Sequence, residues 1–179
     1  AVWTIFSIIG LSIKTELGLS EFQYGVLIAT PVLSGSLIRL ILGVWTEQYG
    51  GRLVFSAQMI LTGLATFALT WANSYPTFLL AALGVGLAGG SFIIGVAYVS
   101  KWYPQRQQGT ALGVFGMGNV GAAVTKFLAP FVLLAWGWQA VAEIWAAVIA
   151  IMGVVFFLIS PSAAQRVLLR PVLPSSSRL

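Results

Sequence analysis

Residues 84–121 read GVGLAGGSFIIGVAYVSKWYPQRQQGTALGVFGMGNVG, two glycine-rich apolar runs on either side of a short basic, aromatic and proline-bearing turn. Gly84, Gly86, Gly89, Gly90 and Gly95 stud the first run; Gly109, Gly113, Gly116, Gly118 and Gly121 stud the second. In a water-soluble helix each interior glycine costs about 1 kcal/mol relative to alanine. In a bilayer the balance changes, because helices associate there by close backbone approach, and small residues four apart permit it. Gly86/Gly90 and Gly109/Gly113 have that spacing. Gly86, Gly90, Gly109, Gly113, Gly118 and Gly121 are therefore expected to be helix-packing positions, and the turn reads as a cytoplasmic loop between two membrane helices.

The same stretch matches the dinucleotide fingerprint GxGxxG twice, at Gly84-x-Gly86-x-x-Gly89 and at Gly116-x-Gly118-x-x-Gly121. That fingerprint has meaning only after a strand and before a helix. Each match here lies inside an apolar run too long for a strand, so helix packing and close ligand approach are the better readings.

Composition points the same way. Of 179 residues, 59% are hydrophobic and only 7% charged, with a mean hydropathy of +0.96. Soluble domains carry about 25% charged residues, so the chain reads as an all-α polytopic bundle in the lipid bilayer. It holds no cysteine and no histidine, which excludes disulfides, thiolate chemistry, imidazole relays and the usual transition-metal ligands. Four acidic residues leave little for an acid/base pair or a carboxylate metal site; no enzyme, cofactor or metal is expected. The charge of +5 is scattered over helix ends and a tail, which argues against a nucleic-acid partner.

Six helices are expected, at about residues 1–13, 21–46, 53–71, 77–100, 109–134 and 139–159. The first falls short of the ~20 residues a span needs and reads as the end of a truncated helix, followed by an aqueous loop from Lys14. Ser20-x-x-Gln23 resembles a capping box, Asn73-Ser74-Tyr75-Pro76 a turn, and Trp136-Gly137-Trp138 an aromatic belt at headgroup depth. Residues 161–179 form a basic Pro/Ser-rich stretch, read as a linker or a non-native end. Arg52, Lys101, Arg106, Arg166, Arg170 and Arg178 fall on one side, against Lys14 on the other. By the positive-inside rule the basic side is cytoplasmic, with both ends of this unit in the cytoplasm of a cell (inner) membrane.

Ionisable residues inside spans are functional candidates by default. Arg39 lies too deep in its helix to snorkel comfortably, and its guanidinium fork suits a planar oxyanion. Lys126 and Glu143 are expected at similar depth on adjacent helices. They read as a structural ion pair, with attraction of anions by Lys126 and proton coupling by Glu143 as the competing roles. Asn119 either donates to an anion or makes an interhelical hydrogen bond. Phe92, among small residues, either stacks on a flat ligand or packs.

With these residues in view, SFIIGVAYVSKWYPQRQQGTALGVFGMGNVG resembles the signature of the nitrate/nitrite porter (NarK-type) family of the major facilitator superfamily. The resemblance rests on Tyr103-Pro104, Gln108-Gly109 and Gly118-Asn119-Val120-Gly121. A second likeness is Gly43-Val-Trp-Thr-Glu47-Gln-Tyr-Gly50-Gly51-Arg52, similar to the superfamily's loop between helices two and three, although Glu47 stands where aspartate is common and Gln48 where arginine is common. Gly43, Glu47, Gly50 and Arg52 are its marked positions. The resemblance covers about residues 1–160 and implies the six-helix N-terminal half of a twelve-helix transporter, its partner being a C-terminal six-helix half. It implies that Arg39 clamps nitrate or nitrite, that Phe92 stacks on the anion, and that Gly116 and Asn119 line the site. It implies alternating access in the intact protein, by exchange or proton symport, and a fragment inactive alone. The alternatives are a facilitator for another small anion and a non-transporting membrane assembly or anchor protein.

Overall fold

A computed structural model describes residues 4–161. The described residues are helical almost throughout: α1 (Phe6–Leu17), α2 (Glu21–Tyr49), α3 (Gly51–Ala68), α4 (Tyr75–Val85), α5 (Ser91–Ser100), α6 (Gln105–Gly116) and α7 (Val120–Ile159). Short 3-10 segments extend α3 through Leu69–Trp71, join α4 to α5 through Gly86–Gly90, and join α6 to α7 through Met117–Asn119. Four helical stretches are long and apolar enough to cross a membrane: Glu21–Tyr49, Gly51–Trp71, Tyr75–Ser100 and Gln105–Ile159. The last, 55 residues long, would run about 80 Å at 1.5 Å per residue. It is broken at Gly137, whose φ of 81° and ψ of 174° are not helical, so the chain turns there and crosses twice.

Local chemistry sets the ends. Ser20 and Gln23 form the capping box of α2, with Gln23 N donating to Ser20 Oγ (3.2 Å) and Ser20 N to Gln23 Oε1 (3.0 Å). Gly18, left-handed at φ 61°, closes α1, so helix continues through Lys14 where an aqueous loop was expected. Lys14 in that last turn faces the negative end of the helix dipole. At the other loop Gln108 Nε2 donates to the Ser100 and Tyr103 carbonyls (3.1 and 3.3 Å). This draws residues 105–108 into α6, and the turn shrinks to the residues before Pro104, the N-cap of α6.

Packing is inverted relative to a soluble protein. α3 buries Ser56, Gln58, Gly63, Thr62 and Thr66, whereas Leu33, Leu37, Leu64, Leu80 and Leu134 are exposed. In lipid the apolar face points outward, and small or weakly polar residues let helices close up. The main core lies toward one end of the bundle, where Phe6, Ile9 and Ile13 of α1 meet Leu27, Leu69, Phe78, Val85 and Val141. Trp138 belongs to this core: it is buried, its ring centroid is 5.6 Å from that of Phe78, and its indole N–H donates to Glu16 Oε2 at 2.7 Å. Trp136 is exposed. The expected aromatic belt is thus split, because the non-helical Gly137 sends the two indoles to opposite environments.

The opposite end carries the loop motif. Gly50, at φ 86°, makes the sharp turn from α2 to α3. Glu47 Oε2 pairs with Lys101 Nζ at 2.7 Å. Arg52 Nε donates to the Phe157 carbonyl at 2.8 Å, with its guanidinium 4.5 Å above the Phe157 ring. Arg52 thereby satisfies one of the orphan carbonyls in the last turn of α7. Gly43 has only the Ile93 side chain near its Cβ position, at 3.5 Å.

Candidate functional site

The site begins where α2 touches the 3-10 segment Gly86–Gly90. A Cβ on Gly35 would stand 2.7 Å from the Gly86 carbonyl oxygen, and one on Gly89 would stand 2.9 Å from Gly35 Cα. Backbone therefore packs on backbone, which only glycine allows. One turn beyond Gly35 on the same helix, Arg39 reaches across and donates from Nε to the Gly89 carbonyl at 2.9 Å. Among the described residues this is the one hydrogen bond of Arg39, and no carboxylate lies within ion-pairing distance of it. Arg39 is half-buried and lies inside the apolar helix Glu21–Tyr49, about 15 Å along the axis from its Tyr49 end. Its terminal N–H groups are uncommitted among the described residues.

Phe92 lies one turn after Gly89, in the first turn of α5. It is 53% exposed, so it does not fill a core inside this unit. Its ring meets that of Phe115 of α6 with centroids 5.7 Å apart and planes at 42°. Phe115 in turn covers Gly95, where a Cβ would stand 2.1 Å from the ring. Gly116 follows, and one turn past Phe115 comes Asn119 at the end of the 3-10 segment Met117–Asn119. Asn119 is exposed, and its amide makes no interhelical bond among the described residues. Arg39 is joined to the 3-10 segment through the Gly89 carbonyl, and Phe92 to α6 through the Phe115 ring.

Other expectations fare differently. Gly86 and Gly90 pack closely, since a Cβ at 86 would stand 2.7 Å from the Pro31 carbonyl oxygen and one at 90 would stand 2.3 Å from Leu42 Cδ1. Gly109, Gly113 and Gly118 do not: nothing lies within 4 Å of their Cβ positions, because α6 has no buried residue and stands on the edge of the bundle. Gly116 also faces open space. Lys126 and Glu143 form no ion pair. Both are exposed on α7, whereas Thr125, next to Lys126, is buried and accepts from Trp145 Nε1 at 2.9 Å.

Two participants were not singled out from sequence. Phe115 carries no signal apart from lying opposite a glycine. Gln58 does carry one, since Gln58, Thr62 and Thr66 recur every fourth residue in an apolar run, a polar stripe on one helix face. All three are buried, and Gln58 Nε2 donates to the Leu87 carbonyl at 2.7 Å.

Comparison with known proteins agrees with this architecture. The family model of the Major Facilitator Superfamily matches residues 1–177. The chain is 40% identical over 178 residues to the Probable nitrate/nitrite antiporter NarK1 of Thermus thermophilus, covering 93% of this chain and 40% of that protein. It is 32% identical over 166 residues to the Probable nitrate transporter NarT of Staphylococcus carnosus (93% and 43% covered). To the Nitrite extrusion protein of Bacillus subtilis it is 31% identical over 166 residues (93% and 42%). The chain therefore spans about two-fifths of the length of these curated relatives. Helices that expose apolar side chains and bury small polar ones, together with a family match along nearly the whole sequence, make this a multi-pass membrane protein that belongs to the major facilitator superfamily.

Proposed function

We propose that this chain supplies one half of a nitrate/nitrite transporter that works by alternating access, with Arg39 as its anion ligand. One observation carries the reading: an arginine inside an apolar helix whose Nε donates to the Gly89 carbonyl and whose remaining N–H groups face no carboxylate among the described residues. A guanidinium anchored at Nε presents its terminal nitrogens as a fork, which matches two oxygens of a planar anion. Phe92, exposed one turn away, offers a flat face for that anion. Gly116 permits close approach, and Asn119 offers an amide donor. The names of the relatives support nitrate or nitrite as the anion.

A second six-helix unit closes the site in this proposal, and it covers the open face that carries Gly109, Gly113, Gly116 and Gly118. The halves rock about the anion, as expected for paired transporter repeats, by exchange or by proton symport. The end bearing Arg52, Lys101 and Arg106 lies in the cytoplasm by the positive-inside rule, in a cell membrane.

The test is nitrate uptake into proteoliposomes by the full-length protein, wild type against Arg39→Ala and Arg39→Lys. Uptake should be lost in the first. In the second it should survive only with a much higher KM, because an ammonium cannot hold the carbonyl and two anion oxygens together. Wild-type uptake by Arg39→Ala would sink the reading.

A further inference from the structure

Gln58 lies on α3, whereas Arg39 lies on α2, and Gln58 is 3% exposed. Its Nε2 donates to the Leu87 carbonyl at 2.7 Å, with Thr62 Oγ1 at 3.4 Å as a weaker partner. The Leu87 acceptor fixes which end of the amide faces the segment, and it leaves Oε1 buried with no partner. A buried amide with half its capacity unused is costly, so the geometry that retains it calls for a reason.

The reason lies in what it grips. Gly86–Gly90 is 3-10 helix, whose hydrogen bonds are poorer than those of an α-helix, and in a bilayer a weakly satisfied carbonyl finds no water to compensate. Two such carbonyls, Leu87 and Gly89, are taken up by side chains from two helices, Gln58 of α3 and Arg39 of α2. Apart from Leu87, the segment consists of Gly86, Ala88, Gly89 and Gly90, which offer little side chain to lock it. The segment is held on α2 by the backbone contacts at Gly35 and on α3 by the Gln58 bond, and the placement of the Gly89 carbonyl follows that of the segment.

We infer that Gln58 is a positioning residue for the anion site: by holding the Leu87 carbonyl it sets where the Gly89 carbonyl stands, and through it the direction of the Arg39 guanidinium. This rests on the reading of Arg39 as the anion ligand. Gln58 itself touches no anion.

The experiment is a double-mutant cycle in the full-length protein, with nitrate uptake in proteoliposomes and thermal stability both measured. Gln58→Leu removes the donor and the orphaned acceptor together, so folding is expected to be retained; Gln58→Met, unbranched and flexible, is the second variant should leucine fail to fold. In the Arg39 background the KM for nitrate should rise about fivefold, the equivalent of one net hydrogen bond. In the Arg39→Lys background Gln58→Leu should change KM no further, because lysine has one arm and its placement no longer follows the Gly89 carbonyl. An unchanged KM in the Arg39 background, or equal factors in both backgrounds, overturns the inference and marks Gln58 as structural. If Arg39→Lys alone leaves transport unaltered, the anion reading falls instead, and the two failures are told apart.

Discussion

Replacing Gly86 by alanine puts a Cβ 1.8 Å from Ser34 Oγ and 2.7 Å from the Pro31 carbonyl oxygen. The hydroxyl can rotate away. The carbonyl belongs to the backbone of α2 and cannot, so ordinary contact at 3.4 Å requires the helix and the glycine segment to part by about 0.7 Å. Overpacking of this kind costs about 1–3 kcal/mol. Against it stands the better helix propensity of alanine, worth up to ~1 kcal/mol, and Gly86 has φ of −59°, which alanine adopts without strain. Packing wins, and the net loss is about 1 kcal/mol, rising to ~2 if α2 does not yield. Gly113→Ala is the matched control. Nothing lies within 4 Å of its Cβ position, so only the propensity gain of up to ~1 kcal/mol remains. Thermal unfolding of this chain in detergent, followed by tryptophan fluorescence, should therefore rank Gly113→Ala at or above wild type and Gly86→Ala below it. Equal losses in the two variants would refute the reasoning, since they would mean that glycine is needed for its backbone alone and not for the space it leaves. In the full-length protein the proposal adds a contrast: Gly113→Ala should become harmful there, where a second half covers α6.

Trp138→Phe keeps the ring against Phe78 but removes the N–H that Glu16 accepts at 2.7 Å. It should cost about 1–2 kcal/mol, more than Glu16→Gln, which keeps an acceptor; equal effects in chemical denaturation would show that packing alone holds Trp138. Lys126→Gln and Glu143→Gln should behave independently, with a coupling energy near zero in a double-mutant cycle, because the two side chains are exposed and unpaired with each other. A measurable coupling would mean that α7 bends at Gly137 more sharply than described. Adding salt should leave both single variants unchanged relative to wild type.

Much of the architecture could be read from residue pattern. Hydropathy marked the stretches Glu21–Tyr49, Gly51–Trp71, Tyr75–Ser100 and Gln105–Ile159, since an apolar helix satisfies its own backbone in lipid. The Ser20/Gln23 box marked the start of α2 because its chemistry is wholly local. What eluded the sequence was azimuth. The spacing of Lys126 and Glu143 suggests a similar depth, but whether two helices turn those positions toward each other depends on tertiary rotation. The same gap separates Gly86, wedged against α2, from Gly113, which faces open space: identical spacing, different neighbours. The two glycine-bearing 3-10 segments, Gly86–Gly90 and Met117–Asn119, were also unread, because a glycine-rich run is compatible with α-helix, and its tightening depends on its partners. At the candidate site Arg39 was visible as an isolated charge among apolar residues, whereas Phe115 was hidden among similar aromatics.

The partner of Arg39 is a peptide carbonyl, and peptide carbonyls are not encoded by the residue that bears them. Every amino acid placed at 89 would bring the same oxygen, yet all but the smallest would push it out of reach of α2. The usual genetic logic of a buried charge, in which a lost partner is restored by a new acid nearby or by reversing both signs, has no purchase here. Selection for recovered function after damage to this region should return small residues along Gly86–Gly90 and Gly35, not compensating charges. The positive charge of the site is thereby insulated from drift in the side chains around it: it can be lost in one step at Arg39, but not neutralised by its own anchor.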